Sequence, residues 1–101
     1  MAVPTLTPVG DGQYRLTGDI TLYTVGELAE RIVGDIDNGP DLSIDMSGVE
    51  RADSGALALL IHWYRKAQSA GIGFRVRSMP EDLNGLMKLY DLDEVLGEVL
   101  A

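Results

Sequence analysis

The segment SIDMSGVERADSGAL, residues 43–57, decides which fold the chain can adopt. Residues 42–46 alternate apolar and polar side chains, which is the period of a strand with one face more deeply buried. A polar loop is expected next, and Asp53 or Ser54 can then cap a helix that ends at Gly71. The segment therefore predicts a strand, a loop and a helix start at which Ser54 points outward.

The residues before this segment predict an antiparallel pair of strands and a first helix. Two β-rich stretches, residues 6–9 and 14–17, are separated by a Gly-Asp-Gly sequence that suits a tight hairpin. Thr24 and Glu27 match a capping box, in which each side chain accepts a hydrogen bond from a free amide at a helix start. Apolar residues at helical spacing then predict a helix to about Asp37.

The residues after the segment predict one more strand and one more helix. Residues 74–77 alternate as a strand, and a strand, helix and strand in succession imply a right-handed parallel crossover. Residues 83–90 carry the apolar stripe of a third helix, and residues 92–100 are either a last helical turn or a short edge element. The order β-β-α-β-α-β-α predicts an α/β fold, one domain over residues 1–101 with a mixed sheet and three to four helices.

Composition excludes several classes of function. The 101 residues suffice for one domain, and eight basic against sixteen acidic residues give a charge of -8, which opposes binding to nucleic acid or anionic lipid headgroups. The chain has no cysteine, so thiolate chemistry is excluded and a reducing compartment is favoured. No window approaches the roughly 20 apolar residues of a membrane span. We therefore expect a cytosolic protein that is not inserted into a membrane.

No pattern in the sequence indicates catalysis. His62 is the only histidine, and its separation from Ser54 along one helix amounts to about 12 Å of axial rise, so the two cannot form a catalytic pair. Neither a phosphate-binding glycine loop nor a metal-ligand spacing is present, so we expect no cofactor and no metal. A hydrolase using Ser54 would need Asp45 or Asp53 as a base and is the weakest hypothesis.

The second helix is apolar around more of its circumference than one buried face requires. The first stripe comprises Leu57, Leu60, Ile61 and Tyr64. A second stripe comprises Ala56, Leu59 and Trp63. The pattern indicates either burial on two sides of the helix or a partner-binding surface beside Ser54.

Two motifs resemble the STAS family, to which the bacterial anti-sigma factor antagonists belong. They are Asp-Met-Ser-Gly-Val at residues 45–49 and Asp-Ser-Gly-Ala-Leu at residues 53–57. Many antagonists have Asp-Ser-Ser-Gly-Leu at the second motif, so Gly55 and Ala56 depart from their pattern. Residues 57–63 and 86–92 more closely resemble the small STAS subunit of the phospholipid ABC transporter of Gram-negative bacteria.

The resemblance implies a non-enzymatic accessory subunit of a phospholipid ABC transporter that maintains outer-membrane lipid asymmetry. Such a subunit binds and supports the ATPase subunit and, through it, the membrane permease, and it is cytoplasmic and peripheral to the inner membrane. The alternative is an anti-sigma factor antagonist regulated by phosphorylation of Ser54. In either case the expected partner-binding residues are Asp53, Ser54, Gly55, Ala56, Leu59 and Trp63.

Overall fold

A computed structural model of the chain describes residues 2–31 and 39–89. Its elements are β1 (Thr5–Gly10), β2 (Gln13–Ile20), α1 (Val25–Leu28), β3 (Leu42–Ala52), α2 (Ser54–Ala70), β4 (Phe74–Arg77) and α3 (Glu81–Leu89). This order confirms the predicted sequence of strands and helices. The expected continuation of the first helix to Asp37 and the alternatives for residues 92–100 lie outside the described residues.

The four strands form one mixed sheet in the order β1-β2-β3-β4. β1 and β2 are antiparallel, as the hairpin motif predicts, whereas β2 with β3 and β3 with β4 are parallel. Gly12 closes the hairpin at a φ of 69°, where a Cβ would lie 2.3 Å from the Asp41 carbonyl oxygen. The hairpin therefore packs directly against the start of β3, and the α/β fold with a mixed sheet is confirmed.

β3 is longer than the alternation of residues 42–46 predicts. The residues that follow, expected to form a polar loop, continue the strand to Ala52 and pair with the second half of β2. The register shifts twice along this ladder, between Arg15 and Thr17 and between Gly18 and Asp19. These irregularities interrupt the alternation of side chains, which is why periodicity alone does not reveal the second half of the strand.

The predicted capping box at Thr24 is wrong. The Thr24 side chain makes no cap hydrogen bond to the helix. Its hydroxyl instead donates to the carbonyl oxygen of Asp19 at 2.9 Å and accepts the N–H of Thr21 at 2.9 Å. Thr24 therefore closes the turn between β2 and α1, because its hydroxyl oxygen accepts the N–H of Thr21 instead of an N–H of the helix.

The core lies between one face of the sheet and the described helices. Buried sheet residues such as Leu16, Ile44 and Val76 form one cluster with buried residues of α2 and α3. Trp63 is completely buried at the centre of α2. On the other face of the sheet, alternate residues of β2 and β4 are exposed. The sheet therefore has one face against the core and one face open to solvent.

Both ends of α2 lie where the sequence predicts them. Asp53 is the N-cap residue, and Gly71 ends the helix in the left-handed region at a φ of 73°, which favours glycine.

None of the described helices is long and apolar enough to cross a membrane.

Candidate functional site

Asp53 holds the start of α2 against the turn between β2 and α1. One carboxylate oxygen accepts the N–H of Gly55 at 2.7 Å, which caps the helix, and the other accepts the N–H of Leu22 at 3.3 Å. The Asp53 N–H also donates to the carbonyl oxygen of Ile20 at 3.3 Å. Both carboxylate oxygens of Asp53 therefore serve the backbone, which makes it a structural link rather than a base beside Ser54.

Gly55 is required because the same turn passes directly over the start of α2. A Cβ on Gly55 would lie 2.5 Å from the backbone nitrogen of Leu22 and 2.6 Å from the carbonyl carbon of Thr21. Both atoms belong to the backbone, so they cannot rotate away as a side chain could. The glycine that departs from the common antagonist motif therefore permits this turn to approach the helix.

Leu22 and Tyr23 form an exposed apolar pair at the tip of this turn. Leu22 is 65% exposed and Tyr23 is 92% exposed, although both residue types are usually buried at least in part. They were not among the residues expected to bind a partner. The sequence gives little indication that these two residues are exposed, because a Leu-Tyr pair between a strand and a helix is equally typical of the core.

Ser54 is the first residue of α2 and is partly buried. It lies between Asp53 and Gly55, the two residues that contact the turn carrying Leu22 and Tyr23. We call Leu22, Tyr23, Asp53 and Ser54 the Ser54 surface. The Asp53 carboxylate at the N-cap position faces the positive end of the α2 dipole, and the first turn of the helix itself has no acidic residue.

The second apolar stripe of α2 is enclosed by the domain itself. Ala56, Leu59 and Trp63 are each at most 3% exposed, and Gly55 is also buried. Burial on two sides, the first of the two alternatives for this helix, is therefore the one that the structure shows. Ala56, Leu59 and Trp63, expected to touch a partner, instead fill the space between the sheet and the neighbouring helices, so their side chains are not available for that contact.

Asp45 belongs to a different part of the sheet from Ser54. Its carboxylate lies 3.6 Å from the Arg15 guanidinium and accepts the N–H of Ser47 at 2.9 Å. The hydrogen bonds from Ser47 are the main cause of the lowered pKa of Asp45, and the nearby charge of Arg15 contributes. The strand between Asp45 and Ser54 spans roughly 25 Å at about 3.3 Å per residue, so Asp45 cannot serve Ser54 as a base.

The described residues contain no cluster of three or more histidine, aspartate or glutamate side chains that could hold a metal ion. His62 is partly buried within α2 and lies two turns along the helix from Ser54. The site therefore combines an exposed apolar pair, a hydroxyl and a helix start, which are features of a surface that binds another protein.

Comparison with known proteins places this geometry in context. A family model described as "Mlab, STAS domain" matches residues 8–100. The anti-sigma-B factor antagonist of Bacillus subtilis (strain 168) is 24% identical over 86 residues, which are 85% of this chain and 79% of that protein.

Two solved structures share the fold. The anti-sigma factor antagonist SpoIIAA in its unphosphorylated form superimposes with a TM-score of 0.73 at 14% identity, over 98% of this chain and 86% of that one. An anti-sigma factor antagonist from Mycobacterium paratuberculosis superimposes with a TM-score of 0.67 at 25% identity, over 94% of this chain and 82% of that one.

Proposed function

We propose that this chain, which belongs to the STAS domain family, binds a partner protein through the Ser54 surface and acts as an anti-sigma factor antagonist. The observation that carries the proposal is Ser54 at the start of α2 beside the exposed pair Leu22 and Tyr23. The similar proteins from Bacillus subtilis and Mycobacterium paratuberculosis are anti-sigma factor antagonists. In this role the chain performs no catalysis of its own.

The chemistry of the Ser54 surface supports recognition by packing rather than by charge. Leu22 and Tyr23 present apolar area that a partner can bury, and burial is worth about 25 cal/mol per Å². Tyrosine is among the residues that most often dominate the energy of a protein interface. The partner that this role requires is an anti-sigma factor, and one with serine kinase activity could phosphorylate Ser54.

Phosphorylation of Ser54 would act on the interface and leave the fold intact. A phosphate at the first residue of the 17-residue helix α2 meets the positive end of the helix dipole, and this attraction offsets the repulsion by the neighbouring Asp53 carboxylate. The same phosphate beside Leu22 and Tyr23 adds bulk and a strongly hydrated group to an apolar contact. Phosphorylation therefore releases the partner.

A second candidate function is that of a non-enzymatic subunit of a phospholipid ABC transporter. The match of residues 8–100 to the MlaB family model favours it. In this role the Ser54 surface binds the ATPase subunit, an MlaF-like protein, and the chain lies in the cytoplasm at the inner membrane through the ATPase and the permease. Gly55 and Ala56, which depart from the common antagonist motif, are compatible with this role.

Affinity capture from native extract, with the bound proteins identified by mass spectrometry, separates the two functions. A serine kinase of the anti-sigma factor class supports the first, and an ABC transporter ATPase supports the second. The identified partner is then purified and titrated against wild type, Tyr23→Ala and Leu22→Ala. Val9→Ala is the matched control, because Val9 is an exposed apolar residue on β1, away from the Ser54 surface.

Tyr23→Ala and Leu22→Ala are expected to weaken binding at least tenfold while thermal unfolding is unchanged, and Val9→Ala is expected to change neither. Ser54→Ala is expected to be mild, and Ser54→Glu is expected to abolish binding while circular dichroism shows the native fold. Partner binding by Ser54→Glu at the wild-type affinity would show that the interface lies elsewhere.

A further inference from the structure

The open face of the sheet carries two rows of side chains that cross three strands. Arg15, Asp45 and Arg77 are register partners on β2, β3 and β4. Gln13, Ser43 and Arg75 form the neighbouring row in the same way. All three arginines are exposed. We call Arg15, Arg75 and Arg77, with the side chains between them, the arginine face.

The arginine face differs in charge from the rest of the chain. Among the described residues, three basic residues lie on it and Asp45 is the acidic residue between them, in a chain of charge -8. Within residues 2–31 and 39–89, Asp45 is paired with Arg15, and the guanidinium groups of Arg75 and Arg77 have no carboxylate within ion-pair distance. Two neighbouring cations on an edge strand thus lack a counter-charge among the described residues, which favours an anion from another molecule.

A shallow depression of about 460 Å³ lies at the row formed by Gln13, Ser43 and Arg75. Arg77, Asp11 and Asp41 also line it. The Asp41 carboxylate is held there because it accepts the N–H of Gly73 at 2.8 Å. An anionic ligand is repelled by Asp11 and Asp41 and attracted by Arg75 and Arg77, so it is expected to lie along β4.

We propose that the arginine face binds an acidic segment of a protein. Arginine binds carboxylates through two parallel hydrogen bonds, and its planar group remains charged at every physiological pH. A short acidic segment carries few charges, so the overall charge of -8 repels it less than it repels a nucleic acid. Arg75 and Arg77 are two residues apart on β4, roughly 7 Å along the strand, and this spacing matches glutamate or aspartate side chains at alternate positions of an extended segment.

This second face is independent of the proposed function at Ser54. The rows cross β3 near its start, whereas Ser54 follows its end, and a strand of 11 residues spans roughly 30 Å. The face is also on the side of the sheet away from α2. The domain can therefore hold a partner at the Ser54 surface and an acidic segment at the arginine face at the same time.

The test is a fluorescence anisotropy titration of the full chain with a short labelled peptide of alternating glutamate and serine. Arg75→Gln combined with Arg77→Gln is expected to weaken binding about tenfold or more, because each charge-assisted contact contributes substantially. Arg65→Gln combined with Lys66→Gln is the matched control, since both residues are exposed on α2 and their loss changes the net charge equally. The control is expected to change affinity less than twofold.

Three outcomes would overturn the proposal. They are the absence of saturable binding by the wild type, an equal loss of affinity in the two double variants, and displacement of the peptide by anionic lipid vesicles but not by unlabelled peptide. Circular dichroism confirms that each variant is folded. The Ser54→Glu variant is expected to bind the peptide like the wild type, so failure of the proposed function leaves this test intact.

Discussion

Replacement of Gly55 by alanine tests whether the turn over the start of α2 is as close as the structure shows. The new methyl carbon would lie 2.5 Å from the Leu22 nitrogen, whereas ordinary contact begins near 3.4 Å. The turn must therefore move by roughly 1 Å, a case of overpacking that costs about 1–3 kcal/mol. The same movement lengthens the hydrogen bond from the Leu22 N–H to Asp53, now 3.3 Å, and its loss costs about 1 kcal/mol more.

Against this cost stands the better helix propensity of alanine, worth at most about 1 kcal/mol. We therefore expect Gly55→Ala to lower the free energy of unfolding by about 1–4 kcal/mol. The change is measured by urea denaturation, with the slope compared between variants to verify that the unfolded states are equivalent. Because the turn carries Leu22 and Tyr23, partner affinity is expected to fall as well.

Gly85→Ala is the matched control because Gly85 also lies within a helix, α3, but has nothing within 4 Å of the position of a Cβ. This substitution is expected to raise the free energy of unfolding by about 0.5–1 kcal/mol. Opposite signs for the two variants would support the close approach at Gly55. Stabilisation by both substitutions would refute it, since the turn would then have room for a methyl group.

Three further perturbations test the core, the cap and the open face of the sheet. Trp63→Ala is expected to cost about 3–5 kcal/mol in urea denaturation, because this completely buried side chain leaves a cavity; a cost below 1 kcal/mol would contradict its place in the core. Asp53→Ala is expected to cost about 0.5–2 kcal/mol, with Asp53→Asn milder since asparagine also caps, and equal losses would argue against a capping role. The pKa of Asp45 is lowered in the folded state, so its ionised form stabilises the fold above pH 3.8, and this contribution is lost as the pH falls through the lowered value. The difference in unfolding free energy between wild type and Asp45→Asn is therefore expected to be small near pH 7 and to vanish in strong acid; a difference that grows toward low pH would contradict the sign.

The elements that depend on local chemistry were predictable from the sequence. The hairpin at residues 10–12, the cap at Asp53 and the helix end at Gly71 each require particular residue types within a few positions, so they leave a direct mark on the sequence. The order of strands and helices follows from hydrophobic periodicity, which depends on the geometry of each element alone. The motifs at residues 45–49 and 53–57 are also short runs of particular residue types, and their resemblance to the STAS family could therefore be seen in the sequence.

The features that depend on distant contacts were decided by the tertiary structure. Leu59 and Trp63 are apolar whether they face a core or a partner, and only the packing of α2 shows that they are enclosed. Thr24 could cap α1 or close the turn before it, and its hydroxyl oxygen accepts the N–H of Thr21 in the turn. The second half of β3 forms because β2 pairs with it despite an irregular register.

The two surfaces proposed to bind partners have the same origin. Leu22 and Tyr23 are exposed because the turn that carries them is held by a hydrogen bond to Asp53 and packs closely on Gly55. Asp53 lies 31 positions from Leu22 in sequence. The arginine face exists because parallel pairing aligns single residues of β2, β3 and β4 that are widely separated along the chain. The sequence by itself determined the elements and the family, whereas the exposure of each side chain depended on which elements pack together, a long-range property that no local pattern encodes.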